Sequence, residues 1–253
     1  MSRQEIYELL EERALRYNHP DFIATDPIQI PHRYGQKENI EIAGFLAASI
    51  AWGQRVTIIK NALRLMEGMD NDPYFFLLHT GPEDWESLRS FKHRTLNGED
   101  CLFFLRSLKN IYEQHGGLEA VFTRGYQYGH SIEAALRYFR NVFFEVDFAD
   151  RSQKQVANVE KGASAKRLNM FLRWMVRRDN AGVDFGLWSQ IPMSALMLPL
   201  DVHTGTQARQ LGLLRRKPND WKAVVELTEQ LRQYDPEDPV KYDFALFGLG
   251  AFE

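Results

Sequence analysis

Hydrophobic residues recur at helical spacing through most of the chain. Ile6, Leu9, Leu10 and Leu15 follow Ser2 and Glu5, whose separation predicts a capping box at a helix N-terminus. Pro20, Pro27 and Pro31 then predict an irregular, extended connection. Ile42, Phe45, Leu46 and Ile50 mark a strongly apolar helix from about Asn39 to Trp52-Gly53-Gln54. Val56, Ile59, Leu63 and Met66 resume the period, so Gly53 is expected at a kink or a tight helix–helix turn.

Further along, Asn97-Gly98-Glu99-Asp100 reads as a turn, with Asp100 capping a helix through Tyr112 that Gly116-Gly117 stop. An amphipathic helix is expected from about Ser131 to Phe144. Ser164 is the expected cap of a helix carrying Leu168, Phe171, Leu172 and Met175. Asp201 is placed to cap a helix ending at Gly212, and Asn219 or Asp220 one running to about Tyr234. Asp238-Pro239, a capping residue before a first-position proline, opens the last helix. No period-two alternation, hairpin turn or internal repeat competes with this pattern. The expected class is all-α, with about ten helices.

Composition narrows the picture. The 253 residues, 44% apolar and 26% charged, suit a soluble protein with one large core or two small ones. No apolar run reaches membrane-spanning length, and Met-Ser-Arg-Gln-Glu does not resemble a cleavable leader, so a cytoplasmic location is expected. Cys101, the one cysteine, excludes an internal disulfide, a thiolate zinc site and a four-cysteine iron–sulfur cluster within this chain. The net charge of −3 hides an asymmetry. Arg151 to Lys217 carries 12 Lys or Arg against 4 Asp or Glu, a local +8 that leaves −11 for the remainder. Arg167, Arg173, Arg177 and Arg178 contribute to this excess. Such a segment marks either a phosphate-binding face or long basic side chains solvating two helices.

The chain has no Walker loop, dinucleotide fingerprint, His-Glu-x-x-His pair or Gly-x-Ser-x-Gly elbow. Two other features carry the candidate chemistry. Gly162-Ala163-Ser164-Ala165-Lys166 is a glycine-started turn that delivers a lysine into a helix's first turn. Leu198-Pro199-Leu200-Asp201-Val202-His203 is an apolar segment that stops at a capping aspartate. Each has an ordinary explanation, a solvated lysine and an N-cap. Together they suggest more. The positive end of a helix macrodipole disfavours an ammonium group, and a neutral amine is the nucleophile of Schiff-base chemistry. A capping carboxylate is ionised and rigidly held, fit to take the amine's proton or to stabilise a sugar cation.

Several longer stretches resemble a bacterial family of conserved uncharacterised proteins, along most of the chain. They are Ala165 to Arg177, Pro199-Leu200-Asp201-Val202-His203-Thr204-Gly205, and Asp238 to Gly248. That family is distantly similar to the helix-hairpin-helix DNA glycosylases. Phe45 to Arg55 resembles the superfamily's apolar helix ending in a Gln-bearing turn at the DNA. Gly162-x-Ser164-x-Lys166 resembles the hairpin Gly-x-Gly-x-Lys that presents the nucleophile. Leu200-Asp201-Val202-His203 before Arg209-Gln210-Leu211-Gly212-Leu213 resembles the catalytic-aspartate stretch. Ala245 to Gly250 resembles the last helix before the cluster cysteines of some members, and Cys101 alone implies a cluster-free branch. Ser164 replaces the second hairpin glycine. Lys166 and Asp201 stand 35 positions apart, an interval similar to that of the archaeal 8-oxoguanine DNA glycosylases, the nearest functional analogy.

The resemblance implies a single globular unit of two helical lobes, approximately residues 39–160 and residues 1–38 with 161–253, flanking a cleft. It implies DNA repair in which Lys166 attacks the sugar C1′ of an extruded, damaged nucleotide, an oxidised purine as the candidate, and Asp201 activates the amine. Lys161 competes with Lys166 but precedes the glycine turn. Gln54, Trp52, Gly162, Ser164, Arg167 and His203 are the implied DNA or substrate contacts, with no metal and no cofactor. His203 and Asp201, two positions apart, diverge by about 200° on a helix and suit no shared ion. Phe91-Lys92-His93-Arg94 is either a contact for single-stranded nucleic acid or a solvated turn. Two other functions remain open: a non-catalytic nucleic-acid binder on the same scaffold, and a helical protein-interaction module in which Lys166 and Asp201 form a structural ion pair.

Overall fold

Apolar periodicity without alternation leads to helices alone. The computed structural model describes residues 1–251, and its described residues form α-helices and short 3-10 turns with two isolated backbone bridges and no strand. The α-helices run in order: α1 Arg3–Tyr17, α2 Lys37–Ser49, α3 Arg55–Glu67, α4 Pro73–His79, α5 Glu86–Arg89, α6 Gly98–Gln114, α7 Leu118–Gly129, α8 Ile132–Phe143, α9 Lys166–Val176, α10 Val202–Gln210, α11 Trp221–Arg232 and α12 Tyr242–Ala251. None is long and apolar enough to cross a membrane.

The backbone divides into two compact units. One is Thr25–Ala157; the other joins Met1–Ala24 to the chain from Asn158 onwards. In the first, α7 packs along α8 and the core is aromatic. Phe45, Phe103, Phe104, Phe122, Phe139 and Phe143 are all fully buried, and Phe122 stacks on Phe139 with centroids 4.4 Å apart. In the second, α12 packs between α1 and α10. Gly248 makes that approach feasible, because a Cβ there would lie 2.1 Å from the Tyr17 ring. Trp174, Trp188, Phe171, Tyr242 and Phe244 fill the core around α9.

The caps obey local chemistry. Ser2 and Glu5 close the expected box: Glu5 N–H donates to Ser2 Oγ at 3.2 Å, and Ser2 N–H to Glu5 Oε2 at 2.6 Å. Ser131, Asp201 and Asp220 cap α8, α10 and α11 through their side chains. Five expectations are corrected. Asn97, not Asp100, caps α6, and Asp100 sits at the third helical position to complete a second capping box. Pro20, Pro27 and Pro31 each begin a 3-10 turn, their fixed φ suiting a first helical position. Leu15 lies on the outer face of α1 and is 82% exposed. Asp238 opens only the 3-10 turn Pro239–Lys241, and α12 starts at Tyr242. Finally, α4, α5 and α7 lie outside the predicted helices.

Candidate functional site

The candidate site is built in the second unit, from the loop before α9 and the head of α10. Asn158 Oδ1 accepts from the backbone N–H of Glu160 and Lys161, at 3.0 and 3.4 Å, and so starts a 3-10 turn. Gly162 ends it with φ +83°, a conformation that favours glycine. The Gly162 carbonyl accepts from Trp221 N–H at 3.0 Å, which ties the loop to the start of α11. Ala165 then takes a left-handed conformation, φ +52°, and is the residue preceding α9. Ser164 therefore does not cap the helix, contrary to the expectation from the sequence. The left-handed step carries it out of capping position, and its carbonyl accepts from Asn169 Nδ2 at 3.1 Å instead.

This turn makes Lys166 the first residue of α9. Asp201 is the N-cap of α10, with Oδ1 accepting from Thr204 N–H at 3.0 Å. Its second oxygen faces the lysine: Lys166 Nζ lies 3.8 Å from Asp201 Oδ2, and each side chain is 26% exposed. That separation is an ion pair but exceeds a hydrogen bond. The only other polar contact of Lys166 Nζ among the described residues is Met170 Sδ, at 3.7 Å. Asn219 Nδ2 donates to the Asp201 carbonyl at 2.9 Å, and Arg209 binds Asn219 Oδ1 at 2.6 Å, so the capping turn is held from its rear.

Below this pair the same face of α9 becomes buried. Residues seven and eleven positions after Lys166 return to within about 20° of it, and they are Arg173 and Arg177. Arg173 binds Asp184 at 3.2 Å and also Asp243, on the first turn of α12. Arg177 binds Asp184 at 3.0 Å, Asp238 at 2.9 Å and Asp179 at 2.8 Å. Burial pushes the Asp243 carboxyl up to about 6; Arg173 opposes this, Asp201 adds to it and Lys166 opposes it. Burial likewise raises Asp238 against the pull of Arg177. For Asp179 burial is overcome by Arg177 and Asn18, and the carboxyl is lowered.

These contacts correct the reading of the basic segment. Arg173 and Arg177 are buried and neutralised by aspartates, which removes both from any phosphate-binding surface. Arg167 is half-buried, and burial lowers its pKa. His203 is exposed at the second position of α10, and no cluster of three or more metal-ligating side chains occurs among the described residues. Lys161 is exposed, on the other side of Gly162 from Lys166. No local pattern marks Asp184, and the Asp238 to Gly248 stretch contains Asp243 without showing its partner.

Trp52 and Gln54 lie in the other unit. Gln54 is exposed at the head of α3, with no side-chain cap bond. Trp52 is 38% exposed, and the Arg94 guanidinium covers its ring with the cation 4.5 Å from the centroid. The adjacent His93 is buried, 2.8 Å from Asn61 Nδ2 and 3.2 Å from the Trp52 carbonyl. Phe91 is also buried, while Lys92 and Arg94 are exposed, so only the basic half of the Phe91–Arg94 stretch is solvated.

No curated protein and no solved structure matches the chain. A family model does, over residues 26–252, a span that contains Lys166, Asp201, Asp243 and both arginines. The chain thus belongs to the family described as Protein of unknown function (DUF2400).

Proposed function

We propose that the protein is a DNA-repair glycosylase/lyase that removes a damaged base, an oxidised purine as the first candidate, through a lysine Schiff base. One observation carries this reading: Lys166 Nζ and Asp201 Oδ2 lie 3.8 Å apart, partly exposed, on two helix heads far apart in sequence. The distant resemblance to helix-hairpin-helix DNA glycosylases supplies the substrate class.

In this mechanism Lys166 Nζ, as the free amine, forms a bond to the sugar C1′ while the glycosidic electron pair leaves with the base, which is then protonated. Asp201 Oδ2 takes the proton that the new C–N ammonium sheds and passes it to O4′ as the nitrogen lone pair forms the Schiff base and the C1′–O4′ bond opens. Loss of a C2′ proton then expels the 3′ phosphate by β-elimination. Gly162, Ser164, Arg167 and His203 border the pair in sequence and contact the DNA.

A non-catalytic nucleic-acid binder on the same scaffold is one alternative; the neutralisation of Arg173 and Arg177 inside the fold favours the other, a helical protein-interaction module. Borohydride trapping on duplexes with oxidised, deaminated or alkylated bases separates the readings. A covalent complex with at least one lesion, absent in Lys166→Ala and retained in Lys161→Ala, supports the enzyme. No trapping above Lys166→Ala on any lesion, with salt-sensitive DNA binding intact, identifies the binder. Neither trapping nor binding leaves an interaction module.

A further inference from the structure

The α9 face that starts at Lys166, with the residue that ends the helix, carries three cations, Lys166, Arg173 and Arg177. Five carboxylates meet them: Asp201, Asp243, Asp184, Asp238 and Asp179. A surplus of two negative charges in a mostly buried cluster favours uptake of a proton. The structure indicates where. Asp184 is fully saturated, one oxygen bound by each arginine. Arg177 holds both oxygens of Asp238. Asp243 receives Arg173 on Oδ2 only, and its side chain is nine-tenths buried with no hydrogen bond to Oδ1 among the described residues.

We propose that Asp243 is a positioning residue for the Lys166–Asp201 pair, holding at Oδ1 the proton that Lys166 must lose to become a nucleophile. The exchange balances: the Lys166 ammonium gives up one proton and becomes an amine, the Asp243 carboxylate gains one and becomes a carboxylic acid, and no electrons change hands. Lys166, Asp201 and Asp243 all keep some solvent exposure, so water can carry the proton. Arg173 holds the acceptor in place through Oδ2 in either protonation state.

The groups acting on Asp243 are Arg173 and Lys166 from α9, Asp201 from the head of α10 and Asp184 from the segment after α9. On its remaining neighbours the charges are engaged elsewhere. Glu11 of α1 accepts from Tyr242 and pairs with Lys241, Lys241 also pairs with Asp235, and Asp238 is held by Arg177. An aspartate near 6 is a better proton acceptor at neutral pH than an ordinary carboxylate.

The Lys166 chemistry rests on the reading above, but the proton site is testable without DNA. Carbon-13 NMR of the intact protein with labelled aspartate carboxyls should show one carboxyl titrating between pH 5 and 7. Lys166→Met removes a positive neighbour and should raise that midpoint; Asp201→Asn removes a negative one and should lower it. The opposed signs identify Asp243 even if Asp243→Asn fails to fold. If Asp243→Asn folds, its trapping rate on abasic-site DNA below pH 7 should fall roughly tenfold, the acid limb moving up by about one pH unit. All aspartates titrating below pH 5, a midpoint unmoved by both substitutions, or an unchanged trapping profile overturns the proposal. The two NMR shifts without any trapping would uphold the proton site and refute the glycosylase/lyase reading.

Discussion

The two ends of one helix face hold the same chemistry in opposite states. At the head of α9, Lys166 and Asp201 are partly exposed, 3.8 Å apart, and share no hydrogen bond. Two to three turns on, Arg173 and Arg177 are buried, and each binds two or more aspartates in hydrogen-bonded geometry. A buried, saturated ion network is costly to disrupt, because removing one partner strands the others in a low-dielectric interior. A loose pair at the rim contributes little to stability and is free to change partners. The buried end fixes α9, the segment after it and α12; the rim end is available for chemistry.

That contrast gives a ranked set of expected effects. Arg177→Ala strands Asp184, Asp238 and Asp179, and should lower unfolding free energy by about 3–5 kcal/mol in urea titrations. A loss below about 1 kcal/mol would remove the distinction between the two ends. Next in size is a pH effect. Asp243 has a folded pKa raised from 3.8 to about 6, so its stabilising contribution is complete below 3.8 and is lost as pH rises through 6. Wild-type stability should fall by about 1–2 kcal/mol between pH 5 and 7.5 relative to Asp243→Asn, measured by paired urea curves.

A smaller effect separates the two duties of Asp201. Asp201→Ala should cost about 1 kcal/mol through the lost α10 cap, whereas Asp201→Asn, also a good cap, should stay within a few tenths. Both should abolish trapping. Lys166→Ala should be the mildest for stability, under about 0.5 kcal/mol in thermal melts, and the most damaging for trapping.

What was legible in the sequence was local. Ser2 with Glu5 and Asp201 are read as caps from their immediate neighbours, and the structure bears out both; of Asn219 and Asp220, left open by the sequence, Asp220 caps α11. The approach of Lys166 to Asp201 was reached only through two helix-head patterns read together. The rest depended on contacts that leave no local trace. Arg173 meets Asp243 across 70 positions, and Arg177 meets Asp238 across 61, so the sequence offers both arginines only as part of a phosphate-binding face or as solvated basic residues. Ser164 looked like a cap because a left-handed alanine after it is an uncommon backbone state for a side chain with a Cβ. Leu15 satisfied the helical period only in part, and its exposure depends on what lies beside α1.

The most direct test locates the covalent bond. The protein is reacted with abasic-site DNA under borohydride, digested, and the nucleotide-bearing peptide sequenced by mass spectrometry. The account predicts the adduct on Lys166. An adduct on Lys161, on the N-terminal amine or on any other lysine, or a protein that forms none, would contradict it.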